Sequence, residues 1–275
     1  MDSSKHPVFT ADSVSPDAIH SFLNTRWAGR NIEYHPIIDS TNFRAKKLGS
    51  ENAPHGTLVI ADLQTAGRGR MQRSWESRSG DSILMSLLLR PVKLPPMQAT
   101  GIVLIAAMAA AMACRDEGAE VFIKWPNDLI VGGKKLSGML LDMTLCGEFV
   151  DFAVVGVGIN IKSFPYAENL QHAVCLMDAC GREVSRAKVV AGFLTHFERL
   201  YELWTEKGIE AILPVYREYS ITLNRRVRVI GLMETFEAQA LDVLPDGSLL
   251  VRLDDGRETP VHAGDVSVRG VMDYI

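Results

Sequence analysis

The chain of 275 residues has little cysteine, few aromatic rings and no large excess of charge of either sign. Four cysteines, at 114, 146, 175 and 180, form no CxxC pair and have no histidine at zinc-ligand spacing. A disulfide framework or structural zinc is therefore not expected, and a reducing compartment fits better. Aromatic residues are 7% of the chain and the formal net charge is −4, which supplies neither the stacking platforms nor the basic coat of a nucleic-acid binder. The first twenty residues, MDSSKHPVFTADSVSPDAIH, contain no apolar stretch, so no secretory signal is expected. The longest apolar run, residues 101–114, is too short to span a bilayer, and its alanines suit a buried helix. The GxxxxGK[ST] spacing of a P-loop is missing, and the one GxG pair lacks the third glycine of a dinucleotide site. These absences leave a cytoplasmic protein with no membrane or DNA partner as the expectation.

What remains is an ordinary globular composition, 47% hydrophobic and 23% charged, enough for one large domain and one small. Residues 1–30 read as a tail followed by a short helix, with Ser15 as N-cap, Pro16 in the first turn and Gly29 as stop. Strands are predicted at 32–38, 57–63, 82–89 and 121–125, and a hairpin turns at Gly132-Gly133. A nearly continuous strand follows at 149–161. An Ala/Met helix precedes Gly118, and residues 186–207 carry an apolar stripe at helical spacing. After Asn224 short strands alternate with the turns Pro245-Asp246-Gly247 and Asp254-Asp255-Gly256. The expected architecture is α+β: a mixed sheet with helices on one face over residues 31–223, then a small all-β domain over 224–275.

Chemistry gathers in five places. Residues 64–75, QTAGRGRMQRSW, alternate glycine with arginine, so backbone can approach an anion while guanidinium forks grip it. Lys124-Trp125-Pro126-Asn127-Asp128 sets a cation, a ring, an amide and a carboxylate at one strand end. A plain turn explains Pro-Asn-Asp but not Lys-Trp. Lys135 opens an apolar strand soon afterwards, as a point charge able to neutralise a carboxylate or phosphate. Gly156-Val157-Gly158-Ile159-Asn160 reads first as close packing in a strand. Asp39-Ser40-Thr41-Asn42 reads first as a helix N-cap, with side chains that also suit a polar heterocycle.

In this order, STN at 40–42, QTAGRGR at 64–70, Trp75, KWPNDL at 124–129, KLSG at 135–138 and GVGIN at 156–160 resemble the biotin protein ligases, also called biotin–[acetyl-CoA-carboxylase] ligases. The resemblance implies a catalytic domain like that of class II aminoacyl-tRNA synthetases and an SH3-like C-terminal domain. With about forty residues before the STN segment, it implies the short type without an N-terminal DNA-binding domain. It implies two-step chemistry: biotin and ATP·Mg²⁺ give biotinyl-5′-AMP, and a lysine of a biotin carboxyl carrier protein then takes the biotinyl group. By the same match, Ser40, Thr41, Asn42, Gln64, Gly67, Arg68, Gly69, Arg70, Lys135 and Gly138 would hold biotin. Arg68, Arg70, Trp75, Lys124, Asn127, Asp128 and Asn160 would hold ATP or the adenylate. Lys135, Arg70 and Asp128 would be catalytic, with Asp128 as a Mg²⁺ ligand. A homodimer is the default assembly. Two other readings remain: a lipoate–protein ligase, and a non-catalytic nucleic-acid module using the Arg-Gly loop. The loop at 66–80 is expected to be mobile without ligand. The β tail is expected to assist activity without forming the biotin pocket.

Overall fold

The structure is a computed structural model that describes residues 12–162, 172–231, 235–263 and 266–270. A seven-stranded sheet forms the body. Its strands are β1 (Ile32–Ile38), β2 (Leu58–Gln64), β3 (Ser82–Leu89), β4 (Phe122–Lys124), β5 (Asp128–Val131), β6 (Lys134–Cys146) and β7 (Phe149–Asn160), in the spatial order β1-β2-β3-β7-β6-β5-β4. β1 and β2 are parallel and all other neighbours antiparallel, so the sheet is mixed. β3, SILMSLLL, is buried along its whole length because both of its faces are covered.

One face carries α3 (Thr100–Asp116) and α5 (Arg186–Lys207), packed on each other and on the sheet. With the turn before it, α3 runs through Pro96–Asp116, long and apolar enough by composition to cross a membrane. Here its apolar circumference is instead consumed by the protein core, where Ile102, Leu104, Ile105 and Met108 are fully buried. α5 shows the narrower stripe of a surface helix, with Val189, Val190, Phe193, Leu194 and Phe197 inward. The expectation that helices keep to one face needs one correction. α2 (Thr41–Ser50) covers the opposite face, where Ala45 packs with Val59, Leu88, Phe152 and Val154. Residues of β3 point alternately to the two faces, and Leu88 goes to α2 while Leu87 and Leu89 go to the larger core.

The N-terminal helix is also shorter than its signals predict. α1 ends at His20 instead of near Gly29. Beyond it the backbone N–H groups of Arg26, Trp27 and Ala28 donate to the buried carboxylate of Glu198 on α5. A tertiary acceptor has taken the donors that a longer helix would use. The helices are completed by α4 (Leu176–Cys180) and α6 (Leu213–Tyr219).

The second sheet has five strands, β8 (Arg226–Ile230), β9 (Thr235–Val243), β10 (Leu249–Arg252), β11 (Glu258–Val261) and β12 (Ser267–Gly270), in the order β11-β10-β9-β8-β12. All its pairings are antiparallel. It is fixed to the body at the β9–β10 turn. The buried indole of Trp125 donates from Nε1 to the carbonyl of Gly247 at 3.0 Å, and Arg217 pairs with Asp242. Gly247 has φ +81°, and a Cβ there would lie 2.6 Å from Thr100 Cγ2. Gly247→Ala should therefore cost about 1–3 kcal/mol from backbone strain alone. A fall in the urea midpoint, with an unchanged slope, checks it.

Candidate functional site

The cleft lies on the α2 face of the large sheet, over a floor of three glycines: Gly138 on β6, and Gly156 and Gly158 on β7. A Cβ at Gly156 would sit 2.1 Å from Asn42 Oδ1, and one at Gly158 2.6 Å from the Trp75 ring. The two glycines let an amide and an indole rest directly on the strand, which is the close packing that an intra-strand GxG predicts.

One end of the cleft is neutral and polar. Ser40 caps α2, accepting from the Phe43 amide at 3.5 Å. Gln64 at the end of β2 presents Oε1 to the backbone N–H of Thr41 at 2.8 Å and to its hydroxyl at 2.9 Å. Behind them the buried Ser86 of β3 lies 2.8 Å from Thr41 Oγ1 and 2.6 Å from Asn42 Oδ1. Asn42 donates from Nδ2 to Asp142 at 3.0 Å.

The other end is cationic. Arg68, Arg70, Arg73, Lys124, Lys135 and Arg269 line the cleft, against a single lining carboxylate among the described residues, Asp128. Lys135 Nζ lies 2.6 Å from Asp128 Oδ1 and 5.9 Å from the centre of the Trp75 ring. Burial pushes the Lys124 ammonium down to about 8; Asp128 opposes the shift, and Lys135, Arg269 and Arg73 add to it. Burial also lowers Arg70, again against the pull of Asp128. Positive charge concentrated on one wall, part of it desolvated, suits an anionic ligand.

The Arg-Gly loop is folded over this end as a small hairpin. Gly69 N donates to Arg73 O at 2.7 Å and Trp75 N to Gly67 O at 3.0 Å, while Met71 turns the chain with φ +53°. Arg70 reaches furthest. Its Nη1 donates to Asn127 Oδ1 at 2.8 Å, and its Nη2 to the carbonyls of Val266, at 3.1 Å, and Ala263. Asn127 is in turn held on β6 by its Nδ2 bond to Met139 O at 2.8 Å.

Of the residues named from sequence, the structure brings Ser40, Thr41, Asn42, Gln64, Arg68, Gly69, Arg70, Trp75, Lys124, Asn127, Asp128, Lys135 and Gly138 to this one cleft. Two lie off it. Gly67 lies beneath the Trp75 carbonyl, 2.3 Å from where its Cβ would be. Asn160 donates to Val174 O at 3.3 Å and so anchors the segment that hydrogen-bonds the start of β6 at Lys135. Sequence reasoning left several lining residues unassigned: Met71, Arg73, Met85, Met139, Leu140, and Val266, Val268 and Arg269 of the second sheet. Arg73 carried the signal of a fourth charge in the loop. Arg269 carried none, because nothing local distinguishes it from the other arginines of the tail.

A resident metal has no ready donor set among the described residues. Among the described residues no three His, Cys, Asp or Glu side chains converge. Asp128 is one carboxylate already on an ammonium, so it suits a Mg²⁺ ion that arrives with phosphates and waters of its own.

Lys124 makes the charge of this site measurable. Its folded value lies below the ordinary 10.5, so its ammonium is disfavoured in the ligand-free fold. That penalty acts in full below about pH 8 and fades as pH rises from 8 towards 10.5. An anion bound beside it restores the charge. Binding of a nucleoside triphosphate at pH 8.5 should thus be accompanied by proton uptake if its phosphates lie beside Lys124, with far less at pH 6.5. Calorimetry in buffers of different ionisation enthalpy reads this, and Lys124→Met should abolish it. Equal uptake by that variant would move the proton elsewhere.

Comparison with known proteins agrees with this geometry. Residues 34–160 match the Biotin/lipoate A/B protein ligase family and residues 222–269 the biotin protein ligase C terminal domain. The bifunctional ligase/repressor BirA of Bacillus subtilis is 34% identical over 259 residues, covering 93% of this chain and 79% of its own. The chain belongs to the biotin protein ligase family. Another family relative, the biotin–[acetyl-CoA-carboxylase] ligase of Mycobacterium tuberculosis, is 32% identical over 220 residues, 77% of this chain and 78% of that one. In fold, the biotin protein ligase from Aquifex aeolicus in complex with biotin and ATP superposes with a TM-score of 0.75 at 24% identity, over 88% of this chain and 99% of that one.

Proposed function

We propose that this chain is an ATP-dependent ligase that activates biotin as biotinyl-5′-AMP and transfers it to a lysine of a biotin carboxyl carrier protein. The observation that carries the reading is a single cleft with a neutral hydrogen-bonding end and a cationic end. The first suits a cyclic urea. The second suits two anions that must meet.

In the first step a carboxylate oxygen of biotin attacks the α-phosphorus of ATP. The bond to the β-phosphate oxygen breaks and pyrophosphate leaves with the electron pair. Like charges repel along this path, so the residues between them must be positive. Lys135 and the loop arginines Arg68 and Arg70 fill that role, Lys124 and Asn127 hold phosphate oxygens, and Trp75 offers its ring to the adenine. Mg²⁺ would enter as part of the nucleotide substrate, and Asp128 would be its protein ligand. In the second step a lysine amine attacks the acyl carbon, AMP leaves, and the amine gives up a proton to solvent. No protein nucleophile is needed, in keeping with the buried or scattered cysteines. The enzyme works in the cytoplasm, with a two-fold dimer as its default assembly.

The polar end favours biotin over lipoate: Thr41 Oγ1 donates to Gln64 Oε1 at 2.9 Å in a cluster of hydroxyl and amide groups, and the dithiolane of lipoate has neither N–H nor carbonyl to bond with them. The decisive experiment is exchange of labelled pyrophosphate into ATP. Exchange that depends on biotin and not on lipoate is expected. Exchange supported equally by lipoate, or none with either acid, would overturn the assignment.

A further inference from the structure

A second opening reaches the cationic end of the cleft from the side. A cavity of about 290 Å³ lies along β6 and shares Arg70, Asn127, Met139 and Leu140 with the cleft. β5 pairs with β6 only as far as Gly138, so beyond that point this edge of β6 has no strand beside it among the described residues. Leu140 and Leu141 point to opposite faces of the sheet and both line the cavity, which therefore rounds the free edge. Its other walls include Thr100 and Val103 of α3, Met71 of the Arg-Gly loop and Ala263 of the second sheet. Where the two spaces meet, Arg70 crosses to Asn127 and to the carbonyl of Ala263.

The lining is mostly apolar. Among the described residues its one charge is the guanidinium of Arg70, and it holds no carboxylate. An ammonium that enters loses water and meets a cation with no counter-ion of its own to greet it. Both effects favour the neutral amine. The loop adds a reason for a side entrance. Arg70 holds it over the cleft, and an opening wide enough for a second substrate would also release a reactive intermediate.

We infer that this cavity is the entry for the acceptor lysine, and that its lining delivers the amine stripped of its extra proton. This rests on the proposed ligase reading, in which the acceptor is a lysine of a carrier protein. The four-carbon stem of the lysine suits the apolar walls, while the carrier stays outside. The ammonium sheds one proton to solvent on entry. Its lone pair then attacks the acyl carbon, the bond from that carbon to the phosphate oxygen breaks, and AMP leaves with the electron pair and takes up the second proton. No side chain has to act as a base.

Transfer from preformed adenylate to a biotin carboxyl carrier domain, followed in single turnovers across pH, tests this. Val103 and Leu141 are only partly buried, so each tolerates change. Val103→Phe narrows the cavity and should slow transfer by about tenfold or more at every pH, since the amine can no longer reach its attacking position. Leu141→Phe should repeat the block from another wall. Val103→Asp instead supplies a counter-ion, in the first turn of α3 where an acidic residue is well placed. Its carboxylate should move the midpoint of the pH–rate profile up by about one pH unit, so that transfer falls about tenfold near neutrality and recovers in alkali. Val103→Asn, of the same shape, should keep the midpoint of the parent. Pyrophosphate exchange should stay near the parent rate in every variant. So should cleavage of bound adenylate by hydroxylamine, a small amine already neutral at this pH. Transfer at the parent rate in both phenylalanine variants would overturn the route. An unmoved midpoint in Val103→Asp would overturn the part given to the lining. Exchange or hydroxylamine cleavage slowed as much as transfer would make these residues structural and overturn both. Lack of biotin-dependent exchange in the unaltered protein would instead overturn the ligase reading, so the two failures are distinct.

Discussion

Lys135→Ala will slow formation of biotinyl-5′-AMP by roughly 10²–10³ in single-turnover measurements, the usual cost of removing one well-placed electrostatic stabiliser. The loss comes from position. Lys135 stands where the polar and cationic halves of the cleft meet, beside Gly138, whose missing side chain leaves it room: a Cβ there would lie 3.1 Å from Nζ. In the ligand-free fold its charge is spent on Asp128. When the carboxylate and α-phosphate approach, the ammonium has two more anions to serve and no water to compete. The fold should survive with some loss of stability, because the side chains of the pair are 28% and 18% exposed and the variant leaves the Asp128 carboxylate without its ammonium. A variant that folds and adenylates at a near-normal rate would remove Lys135 from the reaction.

Arg70→Ala should have the second-largest effect, on retention of the intermediate more than on its formation. One guanidinium ties the loop to Asn127 and to the carbonyls of Val266 and Ala263. Hydrogen bonds from a charged group are worth about 1.5–3 kcal/mol each, so opening the loop should quicken escape of biotinyl-5′-AMP by roughly 10–100-fold. The off-rate of preformed adenylate measures this directly. Limited proteolysis within residues 66–80 should show the same change, with the bound parent protected and the variant cut in both states. An unchanged off-rate would mean that the hairpin stays shut by its own backbone bonds, Gly69 to Arg73 and Trp75 to Gly67.

Much of this was legible in the sequence because the cleft is built from strand ends, and strand ends carry local marks. Pro126 breaks a strand just where Asn127 and Asp128 are needed, and Gly132-Gly133 turns the chain so that Lys135 returns beside them. Residues 64–75 announce themselves by composition alone. The α+β class followed from strand runs that are continuous where both faces are covered, as in β3, and interrupted where one face is open, as in β6. What stayed hidden depended on contacts distant along the chain. Nothing near Glu198 reveals that it takes the N–H groups of residues 26–28 and cuts α1 short. Ser86 and Asp142 look like ordinary members of apolar strands, and that both hold the Asn42 side chain is visible only in the fold. Val266 and Arg269 belong to a tail whose own pattern speaks of a separate small sheet, and their reach into the cleft is a matter of docking. α2 escaped placement because a ten-residue helix with four buried positions has too weak a stripe to declare its face.

The bonds from Arg70 to Ala263 and Val266 join residues 193 and 196 positions apart. During synthesis the loop leaves the ribosome early, and its partners follow only after some two hundred more residues have been added. Throughout that interval the carbonyls that hold the loop down do not yet exist. Closure of the loop by Arg70 is thus tied to the arrival of the second sheet, whose carbonyls it needs.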